Sequence, residues 1–559
     1  MSVAALVVLV IGGGFLAYGA KVSIESWRLM RSGLWKEARE YDMVAAARYF
    51  RDIESECDWL PDRTWADLDL DAVFQRVDRT TSWPGRHLLY ARLRREDHSY
   101  DELRRFDAAV TRLSDDEPLR VRIRWALRPL NHYRASRLPA LFGGALPALP
   151  PMARLTPLLT FASIGMLVAT VWHPPMILGV LAVTVVNIVV RLALQARVDP
   201  FRPALRSLEP MLRAARTLSS IEVPELATRT LALRADVSRL AWIARAARWL
   251  AFEPGGDLVG FIYTYINLLL LIDVSMFVWS ADAIRDRRGT IRQIYEALGD
   301  LDVMTSVATL RAEPRPWCRP VFRDGRQHAL DVTALTHPLL DDAVPNSLQL
   351  DGHNIVLTGS NMSGKSTFVR TIGVNAVLAQ TIHTVFAESW RAPRLAVRTS
   401  IGRADSLLEG KSYYRAEVDA VGALFAMPSD EQRLILIDEL FRGTNSIERI
   451  AAARAVLVEL DRGDSLVIVA THDVELLELL PDYGSYHFRE EVRDGALTFD
   501  YRLRAGACST RNALAILELA GYPASVVADA RATAVALEHR VHFHGTTERS
   551  GGKSDILAS

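Results

Sequence analysis

The residues best arranged for chemistry are Gly359-Ser360-Asn361-Met362-Ser363-Gly364-Lys365-Ser366, which fit G-x-x-x-x-G-K-[ST] directly after the apolar run IVLTG (355–359). A helical pattern opens at Thr367. Glycines at this spacing let backbone N–H groups turn inward around phosphate oxygens, and the helix N-terminus adds its positive end. A lysine at this position reaches the outer phosphates, and the following serine can join a Mg²⁺ shell. Two further groups follow in the order such chemistry needs. LILID (434–438) ends in Asp438, suited to the metal shell, and is followed by Glu439, suited to orienting and deprotonating a water. LVIVA (466–470) leads to Thr471-His472-Asp473, where His472 could sense a γ-phosphate. Each has a plainer reading, since Asp438 and Glu439 could cap a helix and His472 could be a satisfied strand-end histidine. Together with the phosphate loop they predict Mg²⁺-dependent ATP hydrolysis.

These side chains must be held by short buried strands, each feeding a loop or helix. The β-branched runs at 355–359, 434–438 and 466–470 have the texture of parallel strands, so an α/β domain is expected over 321–545. Upstream, 22–154 and 196–320 read as helical, with Leu231, Leu233, Val237, Leu240 and Trp242 at helical spacing. Pro314, Pro316 and Pro320 mark an interruption before the α/β part, and 546–559 has the composition of a disordered tail.

The chain has 559 residues, half of them hydrophobic, enough for several domains with a sizeable core. Its 66 Lys and Arg balance 66 Asp and Glu, so bulk charge makes no case for nucleic acid and any such surface must be local. Cys57, Cys318 and Cys508 lie far apart without zinc-site spacing, as expected of free thiols in a reducing compartment.

Three apolar runs suit a bilayer: 2–20 as an N-terminal anchor (1–21), and 155–172 with 176–190 as a transmembrane hairpin (155–195) around His173-Pro174-Pro175. No positive charge precedes 2–20, which favours an anchor over a cleaved signal. Lys21, Arg28, Arg31, Lys36 and Arg39, and then Arg154, Arg191 and Arg197, fall on the cytoplasmic side by the positive-inside rule. This predicts an inner-membrane protein with the α/β domain in the cytoplasm. A further run, 258–281, carries Asp273, and a span there would carry that domain out of the cytoplasm. It is therefore expected to be a long helix buried among protein helices.

TGSNMSGKSTFVR (358–370), IGRADSLLEGKSYYRAEV (401–418), DELFRGTNS (438–446) and ATHDVEL (470–476) resemble, in order and spacing, the ATPase domain of MutS mismatch-repair proteins. The segment 505–532 looks like the family's helical dimerisation segment, and 69–94 is similar to the start of its core, or lever, domain. The resemblance implies an ABC-ATPase-like α/β P-loop NTPase domain behind an all-α lever/core domain, with ATP and Mg²⁺ as ligands and a head-to-tail homodimer. It also implies that Asn361 contacts nucleotide, that Ser412 is a signature serine reaching the partner subunit's γ-phosphate, and that Thr444 and Asn445 line the opposing interface. The family's base-stacking stretch aligns with 343–350, which offers Val344 and Pro345 instead of an aromatic residue. The mismatch-reading N-terminal domain with its Phe-x-Glu wedge is expected to be missing, and so is a clear clamp.

The expected function is a membrane-anchored, MutS-like ATPase with ATP-dependent binding to duplex, mismatched or branched DNA. The arginine-rich stretches 28–39, 76–95 and 232–248 are candidates for phosphate contact, or else solvated helix faces. The alternative is a nucleotide-driven membrane switch or transport-linked ATPase that binds no DNA; GKSYY in place of an LSGGQ-type signature, and the scarcity of spans, argue against transport.

Overall fold

The computed structural model describes residues 42–55, 57–144, 151–234, 240, 243, 265–323, 329–360, 362–402, 413–425, 432–493, 496–507 and 521–534. The run 2–20, the tail, Asn361, Ser412 and the stretch 28–39 lie outside the described residues, as does most of 232–248. The chain divides into two compact units. The first comprises Met1–Leu60, Asp69–Arg315 and Leu378–His383; the second comprises Pro61–Leu68, Pro316–Val377 and Thr384–Ser559.

The first unit is helical. Its axis is the helix Arg288–Arg311, buried on nearly every side along its second half. It packs closely on the helix Trp83–Arg94. Glycine permits that approach: a Cβ on Gly299 would stand 2.8 Å from the Pro84 carbonyl oxygen. A buried polar lock fixes the register, because Asp302 accepts from Thr81 N, Ser82 N and Ser82 Oγ. Ser82 in turn caps its helix by accepting from Gly85 N at 3.1 Å. His87, fully buried between Tyr295 and the Ala45 carbonyl, is pushed down to about 3 by burial and is a neutral packing group.

The arginines of 76–95 are largely consumed by this packing. Arg79 pairs with Glu313, Arg86 with Asp78 while lying over the Trp83 ring, and Arg94 lies over Phe50. Arg79, Arg86 and Arg94 are all buried. They are therefore not a free phosphate-binding face.

The apolar hairpin consists of the helices Thr156–Ala169 and Ile177–Val198 joined through the 3₁₀ turn Pro174–Met176. Leu194 joins an apolar cluster with Val274 and Val278, but much of the hairpin's apolar surface is exposed while several polar groups are buried. Thr156, Ser163 and Asn187 are buried, whereas Phe161, Trp172, Leu178, Leu181, Val185 and Leu192 are exposed. The expected long helix at 258–281 is, where described, interrupted. Residues 265–270 are helical, Leu271 has φ +52°, and a new helix runs Ile272–Asp286. The carbonyl of Leu269 beside the break accepts from Asn187 Nδ2 at 2.6 Å, and Asn187 also donates to Ser163 Oγ at 3.1 Å. The three helices thus meet along a polar seam, which Thr160 and Ser275 continue with their hydroxyls 3.1 Å apart.

The second unit is α/β. Among its described residues, one sheet contains β1 (Val321–Phe322), β2 (Ala329–Leu335), β3 (Asn346–Asp351) and β5 (Ser389–Ala392), in the order β1-β5-β2-β3. The other contains β4 (Ile355–Thr358), β6 (Ala396–Ile401), β7 (Arg433–Asp438), β8 (Ser465–Ala470), β9 (Gly484–His487) and β12 (Arg504–Ala505), in the order β12-β9-β4-β8-β7-β6. From β9 to β6 every pairing is parallel, and β12 closes the edge antiparallel. β10 (Glu490–Arg493) and β11 (Ala496–Phe499) form a separate hairpin. β4 and β8 are buried at every residue, as strands covered on both faces must be. The helix Asp62–Asp67 also belongs to this unit: Asp67 Oδ2 accepts from Thr399 Oγ1 at 2.8 Å and from Ile401 N at 3.1 Å on β6.

Candidate active site

Three neighbouring parallel strands deliver the predicted residues to one edge. β4 ends in the glycine-rich loop, β8 beside it ends before Thr471-His472, and β7 next to that ends in Asp438 and leads into Glu439. Ligands of open parallel sheets bind outside the carboxyl ends of strands where neighbours leave in opposite directions, and β4 lies at such a place, between β9 and β8.

The loop is held open by its backbone. Gly359 has φ +137° and Gly364 has φ +110°. A Cβ on Gly359 would come within 2.4 Å of the Phe488 carbonyl oxygen, so glycine is required there. Met362 is also left-handed, at φ +74°, and its side chain is 80% exposed. Ser363 is buried and its hydroxyl donates to the Ser360 carbonyl at 2.8 Å. Ser366 and Thr367 lie in the first turn of the helix Lys365–Ile382, Ser366 half-buried and Thr367 exposed.

Lys365 folds back over the loop and donates to the carbonyls of Gly359 and Ser360, both at 2.7 Å. Its ammonium also lies 3.4 Å from His472 Nε2. Burial pushes Lys365 down to about 8, against the opposing pull of Glu439, Asp438 and Glu490. His472 Nε2 is 2.9 Å from Glu439 Oε1, and Arg442 pairs with Glu439 Oε2. Burial pushes the Glu439 carboxyl up, but the His472 hydrogen bond and the charges of Arg442, His472 and Lys365 outweigh it. The net position is below the ordinary glutamate range.

Asp438 is 5% exposed and its Oδ1 is buried with no hydrogen-bond partner among the described residues. An orphaned carboxylate oxygen at the end of β7, with the Ser366 hydroxyl on a neighbouring element, is the donor chemistry a hard divalent cation selects.

Several contacts here lie outside the residues singled out from sequence. Buried Glu490 on β10 accepts from Ser360 Oγ at 2.5 Å. Glu417, on the helix Tyr413–Ala423, accepts from Phe441 N and from Arg442 N. Burial pushes its carboxyl up, countered in part by those two N–H groups. Asn346, inside the stretch that lacks an aromatic residue, donates to the Tyr501 carbonyl at 2.9 Å and accepts from Leu503 N at 2.7 Å. This brings the exposed Tyr501 ring to the loop: a Cβ on Gly364 would lie 3.3 Å from Tyr501 Cδ1. Glu417 and Arg442 fall inside the motif segments quoted above; Glu490 and Tyr501 carry no spacing signal. Asn445 caps the helix Ser446–Asp461 by accepting from Glu448 N at 3.0 Å, Thr444 Oγ1 bonds Glu448, and neighbouring Ile447 is 81% exposed.

Comparison with known proteins gives one family match, and it falls largely within this unit. Residues 355–538 match the family model of MutS domain V. The chain is 32% identical over 284 residues to the DNA mismatch repair protein MutS of Thermus aquaticus, covering 50% of this chain and 34% of that protein. It is 32% identical over 301 residues to MutS of Thermus thermophilus (53% and 35%) and 30% identical over 297 residues to MutS of Geobacillus kaustophilus (51% and 32%). The chain thus spans about a third of the length of these curated relatives. The residues that match MutS domain V contain the loop, Lys365, Asp438, Glu439 and His472, so over 355–538 the chain is similar to MutS proteins.

Proposed function

We propose that this chain is a membrane-tethered, Mg²⁺-dependent ATPase of MutS type that works as a homodimer and couples its nucleotide cycle to DNA. The observation that carries the reading is the convergence of Lys365, His472 and Glu439 at the ends of three adjacent strands, with His472 Nε2 3.4 Å from the lysine ammonium and 2.9 Å from the glutamate.

The loop N–H groups and Lys365 take the phosphates, the lysine exchanging its two loop carbonyls for phosphate oxygens. Asp438 and Ser366 hold Mg²⁺, which when bound neutralises phosphate charge and orients the outer phosphates. Glu439 accepts a proton from water as its oxygen bonds to the γ-phosphorus; the bridging P–O bond breaks and ADP leaves with that oxygen's electrons. His472 Nε2 and the Arg442 guanidinium each contact one oxygen of Glu439 and so orient the carboxylate. Tyr501 offers an aromatic face for the adenine, doing what Val344 and Pro345 cannot. Ser412, from the partner subunit in a head-to-tail dimer, completes each site. The exposed apolar side chains Met362, in the phosphate loop, and Ile447, beside Thr444 and Asn445, support burial against a second copy.

Tethering rests on the hairpin. Pro174–Leu194 is a 21-residue helix long and apolar enough to cross a bilayer, and only 17% of its most apolar window is buried. Buried polar groups beneath exposed aliphatic ones suit lipid, where interhelical contacts are made by small and polar residues. Arg154, Arg191 and Arg197 at its open ends support an inner-membrane location with the ATPase in the cytoplasm.

A second reading, a nucleotide switch that binds no DNA, is favoured by the burial of Arg79, Arg86 and Arg94. Two assays on detergent-purified protein test the proposal. Phosphate release from Mg–ATP must be present in the wild type and lost in Glu439→Gln. Filter binding to duplex, mismatched and forked DNA over a salt series separates the two readings, and no retention at low salt leaves the switch.

A further inference from the structure

The turn that carries the proposed base is held in a conformation its own residues disfavour. Glu439 and Phe441 both have φ +59°, the left-handed region in which side-chain-bearing residues are rare. Phe441 is a bulky residue there and is 6% exposed, so nothing in its own chemistry selects this backbone. Such geometry persists only where surrounding contacts over-determine it.

Two anchors hold the turn. Upstream, Glu439 N donates to the Ala470 carbonyl of β8 at 2.8 Å. Downstream, two consecutive N–H groups, those of Phe441 and Arg442, converge on Glu417 Oε1, the second at 3.4 Å. The first turn of Glu417's helix presses on the same place. The Tyr414 ring centroid is 6.3 Å from that of Phe441, and a Cβ on Gly443 would lie 3.0 Å from Tyr414 Cβ. Releasing the downstream anchor would let Phe441 return to negative φ, rotating the peptide planes between 439 and 442. The backbone that aims Glu439 would turn with it, because of the backbone anchors described only the Glu439 N–H bond to Ala470 remains, and the side-chain contacts to His472 and Arg442 would be strained.

We propose that Glu417 is a positioning residue for hydrolysis: its carboxylate clamps the left-handed Phe441 turn and so aims Glu439. This rests on the reading of Glu439 as the base. It predicts a defect in turnover and not in nucleotide binding, since Glu417 touches neither the loop nor Lys365 in any contact described.

The experiment is steady-state ATP hydrolysis and nucleotide affinity for Glu417→Ala, Glu417→Gln, and Glu417→Ala combined with Phe441→Gly, with Glu439→Gln alongside. Glu417→Ala is expected to lose about 10- to 100-fold in kcat, the scale of an ångström's misplacement, with KM and nucleotide affinity within about twofold of wild type. Glu417→Gln, which keeps an acceptor oxygen, retains most of the turnover. Adding Phe441→Gly recovers most of the Glu417→Ala loss, because glycine adopts positive φ without a clamp. A merely destabilised protein would not be rescued by a glycine, and failure of that rescue overturns the proposal. So does wild-type turnover in Glu417→Ala, or affinity lost in parallel with kcat. If Glu439→Gln itself turns over normally, the assignment of the base falls; if it is slow while Glu417→Ala is not, only the positioning role falls.

Discussion

His472 Nε2 and Glu439 Oε1 lie 2.9 Å apart, although the two residues follow different strands, β8 and β7. The pairing is possible because those strands are parallel neighbours in register, with Asp438 opposite Ala470. The proposed base therefore takes one of its contacts from the adjacent strand, and that contact favours its ionised form.

A pH dependence follows from this pairing. Burial raises the Glu439 carboxyl, but His472, Arg442 and Lys365 bring it below the usual range, so the ionised form needed for base catalysis survives into acid. Removing His472 takes away the largest of the lowering contacts. The acid limb of kcat/KM against pH, which reports the protein before nucleotide binds, is therefore expected at higher pH in His472→Ala than in wild type. Glu439→Gln should lose about 10²- to 10⁴-fold in turnover and show no such limb. An acid limb that stays put in His472→Ala means the contact does not tune the base.

Lys365 carries a second pH signature. Burial holds it at about 8 in the free protein, whereas bound phosphates favour its charged form and raise it. Below pH 8 the lysine is charged before and after binding, so affinity is flat. Above pH 8 binding must take up a proton, and affinity falls by up to about tenfold per unit until the raised value is passed. A fluorescent ATP analogue titrated between pH 7 and 9.5 reads this directly, and Lys365→Ala should bind weakly with no break near 8. A flat profile in wild type places Lys365 away from the phosphates.

Tyr501 predicts a loss that depends on the base. Stacking of a nucleobase on an aromatic side chain contributes about 1–3 kcal/mol, so Tyr501→Ala should weaken ATP binding by about 5- to 150-fold. Tyr501→Phe keeps the ring and should bind as wild type does. Inorganic triphosphate, which has no base, should compete equally well in Tyr501→Ala and wild type. Parallel weakening of both ligands would show that the substitution disturbs the loop around Gly364 and not an adenine platform.

What can be read from sequence is decided by how locally the chemistry constrains the chain. Gly359, Lys365 and Ser366 are legible because one loop must contain them all, and Asp438 and Glu439 because a strand end must present both. Glu490, Glu417 and Tyr501 reach the same region only through tertiary pairings: β9 beside β4, the helix Tyr413–Ala423 against the 441–443 turn, and Asn346 across to 501–503. No spacing rule records those. The interruption at Leu271 is invisible for a related reason. NLLLLIDV contains no glycine or proline, and the neighbouring Leu269 carbonyl finds its donor on another helix, at Asn187. The arginines of 76–95 are ambiguous in sequence because a guanidinium over an aromatic ring and one facing a phosphate have the same composition. Their burial over Trp83 and Phe50 assigns them to packing.

The hairpin gives the last prediction, one of topology. Its exposed Leu181 and Val185 would be tolerated singly on a water-facing helix, but a continuous apolar face beside buried Ser163 and Asn187 is what the proposed membrane span requires. If the Pro174–Pro175 turn emerges on the outer side, His173→Cys in intact cells should react with a membrane-impermeant maleimide. Ile447→Cys, on the α/β unit and 81% exposed, should react only after lysis. An arginine near the middle of the span costs about 2.5–3.5 kcal/mol in the bilayer, so Leu181→Arg together with Val185→Arg should abolish labelling at 173. On a water-facing helix inside the cell, His173→Cys would react only after lysis, with or without the two arginines. Reaction at 447 in intact cells, with none at 173, would invert the topology and overturn the proposed cytoplasmic ATPase.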